Sequence, residues 1–351
     1  MKRKSFKLTV IMILMIVVSC DDPVTVVTNY VHPDGSVTRK IEMKNTKNQF
    51  EVSNLKVPFD STWTIKDSLE ISEKGDTTWV KRAEKLFRNT DEINLAYKAD
   101  TGANKNVSRH TSFEKRFRWF NTEYRFSEQV DKKLANGYPL KNFLNNEELQ
   151  FFYSPSELQD SKLKSADSLK FKMLKEDVDK KVEKWTGMNI VSEWIREFSS
   201  LIDSKEGSKP VIDSLKLSEE EIADFLIKYQ DKFDSLWQNG IILKNYIGEE
   251  NQKRFKVEAD SAASIASNFI FVDFKEYAVR IVMPGSLTAT NGFIDSSSVL
   301  LWPVKSDYFF TEDYVMFAES KTRNTWAWIV SGLFLLFVLS GVIIRITKKA
   351  D

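Results

Sequence analysis

The sequence predicts an α+β ectodomain, mainly antiparallel sheet at both of its ends with a central helical block, compatible with a helix-grip arrangement and followed by one transmembrane helix. Three observations carry this. Runs with period-two alternation, bounded by turn residues, occupy residues 20–139 and return over 268–320. Apolar residues at three- and four-residue spacing fill 140–267. Finally, 19 consecutive residues from Trp326 to Ile344 carry no charge, a length that at ~1.5 Å per residue crosses most of a ~30 Å hydrocarbon core.

Composition fits a packed protein and excludes several function classes. The 351 residues are 42% hydrophobic and 13% aromatic, ample for a core. The 51 basic and 50 acidic side chains nearly cancel, so no global field draws nucleic acid or acidic substrates. Cys20 is the one cysteine, which rules out an intramolecular disulfide and a cysteine metal cluster.

Residues 1–19 have the anatomy of a secretion signal. A basic start (Lys2, Arg3, Lys4, Lys7) leads into an apolar core, Leu8 to Val18, that is too short to span a bilayer and long enough for a signal. It ends in Val17-Val18-Ser19-Cys20, which resembles the bacterial lipobox. The resemblance implies cleavage before Cys20, acylation of that cysteine with palmitate-like chains, and an ectodomain outside the cytoplasm. In enterobacteria an Asp after this cysteine retains such lipoproteins in the inner membrane; Asp21 and Asp22 follow here.

The ectodomain opens with two β-branched runs around His32-Pro33-Asp34-Gly35, a turn in which Pro presets φ and Gly supplies a positive one, so a β-hairpin is expected over Val24 to Lys44. Ser61–Ile71 and Thr77–Phe87 read as two further strands joined by Glu73-Lys74-Gly75-Asp76. In Ser112 to Val130, Phe113, Phe117 and Trp119 share one parity and Phe120, Tyr124 and Phe126 the other. The switch predicts a bulge or hairpin bend at Trp119-Phe120-Asn121. Lys115, Arg116, Arg118 and Arg125 interleave with these aromatics. This composition is most simply a sheet with one solvated face; as a binding surface it suits lipid headgroups or anionic glycans better than nucleic acid.

In the helical block, Ser154-Pro155-Ser156-Glu157 has capping-box spacing ahead of a stripe from Leu163 to Trp185 that Gly187 should end. A second helix is expected from Ile190 to Ile202. A third should open at Ser218, with Glu221 completing its cap, and stop at Asn239-Gly240. Small residues at Ala262–Ser267 then give way to strand-like Phe269, Phe271, Phe274, Tyr277 and Val279-Arg280-Ile281-Val282. Met283-Pro284-Gly285 turns the chain. Thr290-Asn291-Gly292 predicts a type I′ hairpin, and Val299–Trp302 and Tyr314–Phe317 two last strands. At the membrane, Trp326 and Trp328 are candidate interface anchors on one side and Arg345, Lys348 and Lys349 on the other, placing the tail 345–351 in the cytoplasm. Seven residues should link the last strand, ending near Ala318, to the helix. Ser331, Gly332, Ser340 and Gly341 form no Gly-x-x-x-Gly pair, so helix dimerisation is weakly encoded.

The Asp34-Gly35-Ser36 hairpin behind the lipobox, with Met283-Pro284-Gly285, Asn291-Gly292, Val299–Trp302 and Phe317-Ala318-Glu319-Ser320 before a membrane helix, resembles the doubly anchored bacterial lipoproteins of the LppM type. The resemblance implies a mixed α/β ectodomain of helix-grip character that binds glycolipid.

Catalytic chemistry is sparse. His32 and His110 are far apart in sequence, and there is no His-Glu-x-x-His, Gly-x-Ser-x-Gly, phosphate loop, dinucleotide fingerprint or EF-hand spacing. No cofactor or metal site is expected. An envelope hydrolase built on a carboxylate pair is the least favoured reading. Two readings stand ahead of it: a membrane-proximal module that binds lipid or glycolipid, and a scaffold that binds an envelope protein through the helical block.

Overall fold

The computed structural model describes residues 24–48, 50, 60–71, 77–100, 105–163, 168–270, 274, 276–294 and 299–350. The signal segment, Cys20, and the turn at 73–76 lie outside the described residues. The chain forms two compact units, one from 130–276 with 303–314, the other from 24–129, 277–302 and 315–350.

The second unit contains two sheets. β1 (Val24–Val31) and β2 (Val37–Asn45) form the expected hairpin, with Gly35 at φ 94° and its amide donating to the His32 carbonyl at 3.0 Å. β3 (Thr64–Ile71) and β4 (Thr77–Phe87) pair antiparallel, and β4 pairs with β2. β5 (Arg109–Phe117) and β6 (Asn121–Val130) confirm a hairpin bend where the aromatic parity switches. β7 (Tyr277–Val282) lies parallel to β1, and β8 (Ser286–Thr290), β9 (Phe293–Ile294), β10 (Leu300–Val304) and β11 (Tyr314–Arg323) complete the strands. The orders are β3-β4-β2-β1-β7-β10-β9 and β5-β6-β11-β8. The α+β class therefore holds.

Period-two burial orients both sheets. Thr25, Val27, Asn29 and Val31 of β1, and Val37, Arg39 and Ile41 of β2, are buried on one face, while β6 buries Thr122, Tyr124, Phe126 and Glu128. These faces meet through charge. Arg39 Nη2 donates to Glu128 Oε2 at 2.8 Å, and its Nε to Asn29 Oδ1 at 2.7 Å. Helix α1 (Thr90–Lys98), which the periodicity did not reveal, brings Tyr97 alongside the pair, where its hydroxyl accepts from Arg39 and donates to Glu128 Oε1 at 2.7 Å. Arg109 lies over the Tyr97 ring at 4.1 Å and pairs with Asp100 at 3.0 Å. Burial works against the Arg39 charge, but the facing Tyr97 and Glu128 outweigh it and raise its pKa; burial likewise pushes the Tyr97 phenol up. Asn94 on α1 closes the edge of β5, donating to the Thr111 carbonyl at 2.9 Å and accepting its amide at 2.7 Å.

The helical unit comprises α2 (Asn146–Tyr153), α3 (Ser156–Leu163), α4 (Ser168–Ile202), α5 (Ser208–Leu217), α6 (Glu219–Lys228), α7 (Phe233–Gln238) and α8 (Ile241–Ile270). Several expectations are corrected. Gly187 does not end a helix: α4 runs through it, and a Cβ there would stand 3.0 Å from Ile227 Cδ1, so the glycine serves the close approach of α6. Ser154 spends its hydroxyl on the Phe151 carbonyl at 2.7 Å, and Ser218 makes no side-chain cap. The capping box is Asn145 with Glu148, at α2. The small residues near 262 are no strand approach: Ala259, Ala262 and Ala266 are buried along α8, which breaks at Gly248 (φ 80°) and carries Phe269 in its backbone. The expected third helix is divided at Gln230–Lys232 into α6 and α7. The core is aromatic, with Trp194 stacked on Phe198 at 5.5 Å and edge-on to Trp237 at 5.5 Å.

The type I′ hairpin at Asn291-Gly292 is also overturned. Gly292 has no positive φ, and β8 and β9 belong to different sheets. Asn291 instead spans them, donating to the Val315 carbonyl at 2.6 Å and accepting from the Phe317 amide and Trp302 Nε1, each at 3.0 Å. Gly292 is needed because a Cβ would fall 2.4 Å from the Trp302 ring.

The buried pair sets the first prediction. Arg39→Met strands the Glu128 carboxylate, which is 0% exposed at its side chain, and should destabilise the sheet unit by about 3–5 kcal/mol, whereas Arg39→Met with Glu128→Leu should recover much of the loss. Thermal unfolding of the full chain in detergent, followed by near-ultraviolet circular dichroism, reads it; a single variant as stable as the parent would remove the network from the list of what joins the sheets.

Candidate membrane-interface site

The last element, α9 (Thr325–Ala350), is apolar and exposed. Its segment Thr325–Arg345 is long and apolar enough to cross a membrane, and the rest of the protein covers almost none of it. The expected seven-residue linker does not exist: β11 continues to Arg323, and Asn324 alone separates it from the helix.

Asn324 is bonded through each of its polar groups. Its amide donates to the Phe120 carbonyl at 2.9 Å, and its side-chain Nδ2 to the carbonyls of Arg118 at 2.7 Å and Trp119 at 3.2 Å. Its Oδ1 accepts from Thr122 Oγ1 at 2.9 Å, and its carbonyl receives the Ala327 amide at 2.9 Å, the first bond of the helix. A residue at a helix N-cap ordinarily turns its side chain onto its own helix. Here the side chain is given to the β5–β6 turn, which it ties to the foot of α9.

That turn is short. Arg118 and Asn121 exchange backbone hydrogen bonds of 2.8 and 3.2 Å, leaving Trp119 and Phe120 at the tip. Three aromatics of the hairpin meet the two helix tryptophans. Phe117 stacks on Trp326 at 6.3 Å, Trp119 lies edge-on to it at 5.3 Å, and Phe120 packs on Trp328 at 4.4 Å. Trp119 Nε1 donates to Ser331 Oγ at 2.9 Å. Ala327, between the tryptophans, is fully buried, while the five rings themselves stay 37–56% exposed. Ser331 is six residues into α9, so the Trp119 ring reaches a level ~9 Å along the helix from its start.

Around this aromatic collar the charge is mostly positive. Arg116, Lys321 and Arg323 are exposed and have no ion-pair partner among the described residues. Arg118 shares Glu123 at 3.3 Å, with both groups about half exposed. Arg125 pairs with Glu319 and lies over the Phe317 ring at 4.7 Å. Lys115 is turned away to the Pro33 carbonyl at 2.9 Å.

Of the anchor residues read from sequence, Trp326 and Trp328 thus come together in the collar. Arg345 is exposed at the far end of the apolar segment, and Lys348 and Lys349 continue the α9 backbone beyond it. His32 bonds Thr38 Oγ1 at 2.9 Å and His110 is exposed elsewhere. Among the described residues no group of three or more His, Cys, Asp or Glu is placed to hold a metal. Sequence reasoning missed Asn324, Ser331 and the pairing of the hairpin tip with the helix. The aromatic run at 117–120 was the available signal, but its partner stands some 200 residues away.

No protein-family model matches the chain, and no curated protein matches it. Among solved structures, it is similar to the NMR structure of the folded domain of LppM from Mycobacterium tuberculosis, at 9% identity and a TM-score of 0.27, over 86% of this chain and 91% of that one. A similarity at that level does not establish a common fold.

The collar generates a prediction. Asn324→Ala removes three side-chain hydrogen bonds and should loosen the hairpin from α9 by about 1–3 kcal/mol, seen as faster amide hydrogen exchange over residues 117–122 in the reconstituted protein. Unchanged exchange there would show that the staple is dispensable.

Proposed function

We propose that the chain is a single-pass membrane lipoprotein that acts as a membrane-proximal binding module, contacting bilayer lipid or glycolipid through the collar at the base of its sheet unit. The observation that carries this is the Trp119–Ser331 hydrogen bond, which sets the hairpin tip beside lipid-exposed turns of an apolar helix. Tryptophan and tyrosine favour the headgroup layer because an apolar ring and a polar N–H or O–H are both served there. The reading places lipid binding at the membrane surface rather than between the sheets, where Arg39, Glu128, Tyr97 and Asn29 occupy the interior.

In this reading Cys20 carries the second, lipid anchor, the sheet unit is outside the cytoplasm, the tail is inside, and the inner membrane is the address. The orientation rests on the N-terminal signal more than on flanking charge, since Lys321 and Arg323 stand at one end of α9 and Arg345, Lys348 and Lys349 at the other. The alternative of an envelope scaffold finds its support in the helical unit, where Leu217 is 88% and Val257 73% exposed.

Quenching of tryptophan fluorescence by lipids brominated near the headgroup tests the reading. Full-length protein in such bilayers should be quenched, and Trp119→Phe should remove about a third of the quenched intensity, as one of three interfacial tryptophans. A quenched intensity that Trp119→Phe leaves unaltered would mean the hairpin tip is in water, and the reading would fall.

A further inference from the structure

We infer that the cationic rim of the collar, Arg116, Arg118, Lys321 and Arg323, is a binding site for the phosphate of anionic phospholipid headgroups. The inference rests on the collar being at the bilayer interface. Its own support is the placement of charge. The end of β5, the β5–β6 turn and the end of β11 lie at one end of the four-stranded sheet, bound together by Asn324. That end carries Arg116 beside Phe117, Arg118 beside Trp119, and Lys321 and Arg323 immediately before the helix.

Against these four cations the same end offers Glu123, at 3.3 Å from Arg118. An exposed pair of that kind contributes little and gives way readily to another acceptor. Glu319 is already engaged by Arg125 one pleat higher. Three cations therefore face solvent without an ion-pair partner among the described residues.

Depth matches the chemistry. With the Trp119 ring level with Ser331, the rim stands outside the apolar part of α9, at the level where lipid phosphates lie. Long arginine side chains keep their stems on apolar surface and send the guanidinium to the headgroups, where its fork meets two phosphate oxygens at once. A zwitterionic lipid offsets its phosphate with choline, whereas an anionic one leaves net charge. Each basic residue near an anionic surface then strengthens association about fivefold.

The test uses full-length protein in nanodiscs of phosphatidylcholine with a minority of phosphatidylglycerol, with the lipids retained after detergent stripping counted by native mass spectrometry. Wild type should retain phosphatidylglycerol enriched about tenfold over its bulk share. Replacing Arg116, Arg118, Lys321 and Arg323 by Gln should return the ratio to bulk, and replacing the three arginines by Lys should keep most of the enrichment. Bulk-ratio lipid on wild type, or enrichment surviving the Gln variant, would overturn the inference. So would enrichment abolished by competing inorganic phosphate, which would assign the rim to a free anion. Bromolipid quenching measured on the same samples separates the failures: quenching kept with a bulk lipid ratio defeats the headgroup site alone, and quenching lost defeats the collar reading beneath it.

Discussion

A one-residue junction governs this molecule. Between a strand fixed in a sheet and a helix too apolar for water stands Asn324, and a chain with so little slack cannot let the two elements reorient independently. The hairpin bonds make the junction stiffer still. A backbone amide, a side-chain amide and a threonine hydroxyl tie β5–β6 to the same residue, so the direction in which α9 leaves the sheet is set by several bonds of ordinary strength rather than by one strong contact. The height of the sheet unit above a bilayer, in the proposed setting, becomes a property of the fold.

Such a junction transmits position only if the sheet unit is itself firm, and its interior is built for that. Apolar contacts are non-directional and specify which residues must face one another less sharply than hydrogen bonds do. The Arg39–Glu128 pair, with Asn29 and Tyr97, links β1, β2, β6 and α1 by directional bonds in a buried setting. A buried pair of this kind adds little net stability compared with well-packed hydrocarbon, but it penalises any register in which one partner is stranded. Tyr97 matters to this balance: it both accepts and donates, completing two ions with one hydroxyl, while its ring lies beneath Arg109.

The sequence was most legible where local chemistry decides. Pro-Asp-Gly at 33–35, the alternation of β1, β2 and β4, the parity switch at Trp119-Phe120 and the apolar run of α9 each contain their own answer. It misled where a residue's local meaning was overridden from outside. Gly187 reads as a helix end, yet α6 needs the space a side chain would fill. Asn291-Gly292 reads as a tight turn, yet Asn291 hydrogen-bonds to Trp302, Val315 and Phe317 and Gly292 makes room for the Trp302 ring. The Ala run near 262 reads as a pause before strand, yet alanine is also the residue that lets α8 pack closely. For the candidate site, Trp326 and Trp328 could be nominated by position, but their meeting with Phe117, Trp119 and Phe120 depends on tertiary pairing that no window of sequence contains.

The hairpin tip shows most directly what the fold gives up for its surface. A two-residue hairpin loop normally uses Gly, Asn or Asp, which reach positive φ cheaply. This loop holds Trp119 and Phe120, neither at positive φ, so the turn does not draw on the residues that would make it on its own. The bonds from Asn324 to the carbonyls of Arg118, Trp119 and Phe120 supply from outside what the turn residues do not. In water the arrangement would be costly twice, once for the weak turn and once for half-exposed aromatic rings that no protein surface covers. In the proposed membrane setting the second cost falls, because the Trp119 ring with its polar N–H is at home in the headgroup layer and the Phe120 ring lies against apolar surface. Local turn propensity and solubility are set aside at the same two residues, the pattern expected where a surface is shaped for contact rather than for stability.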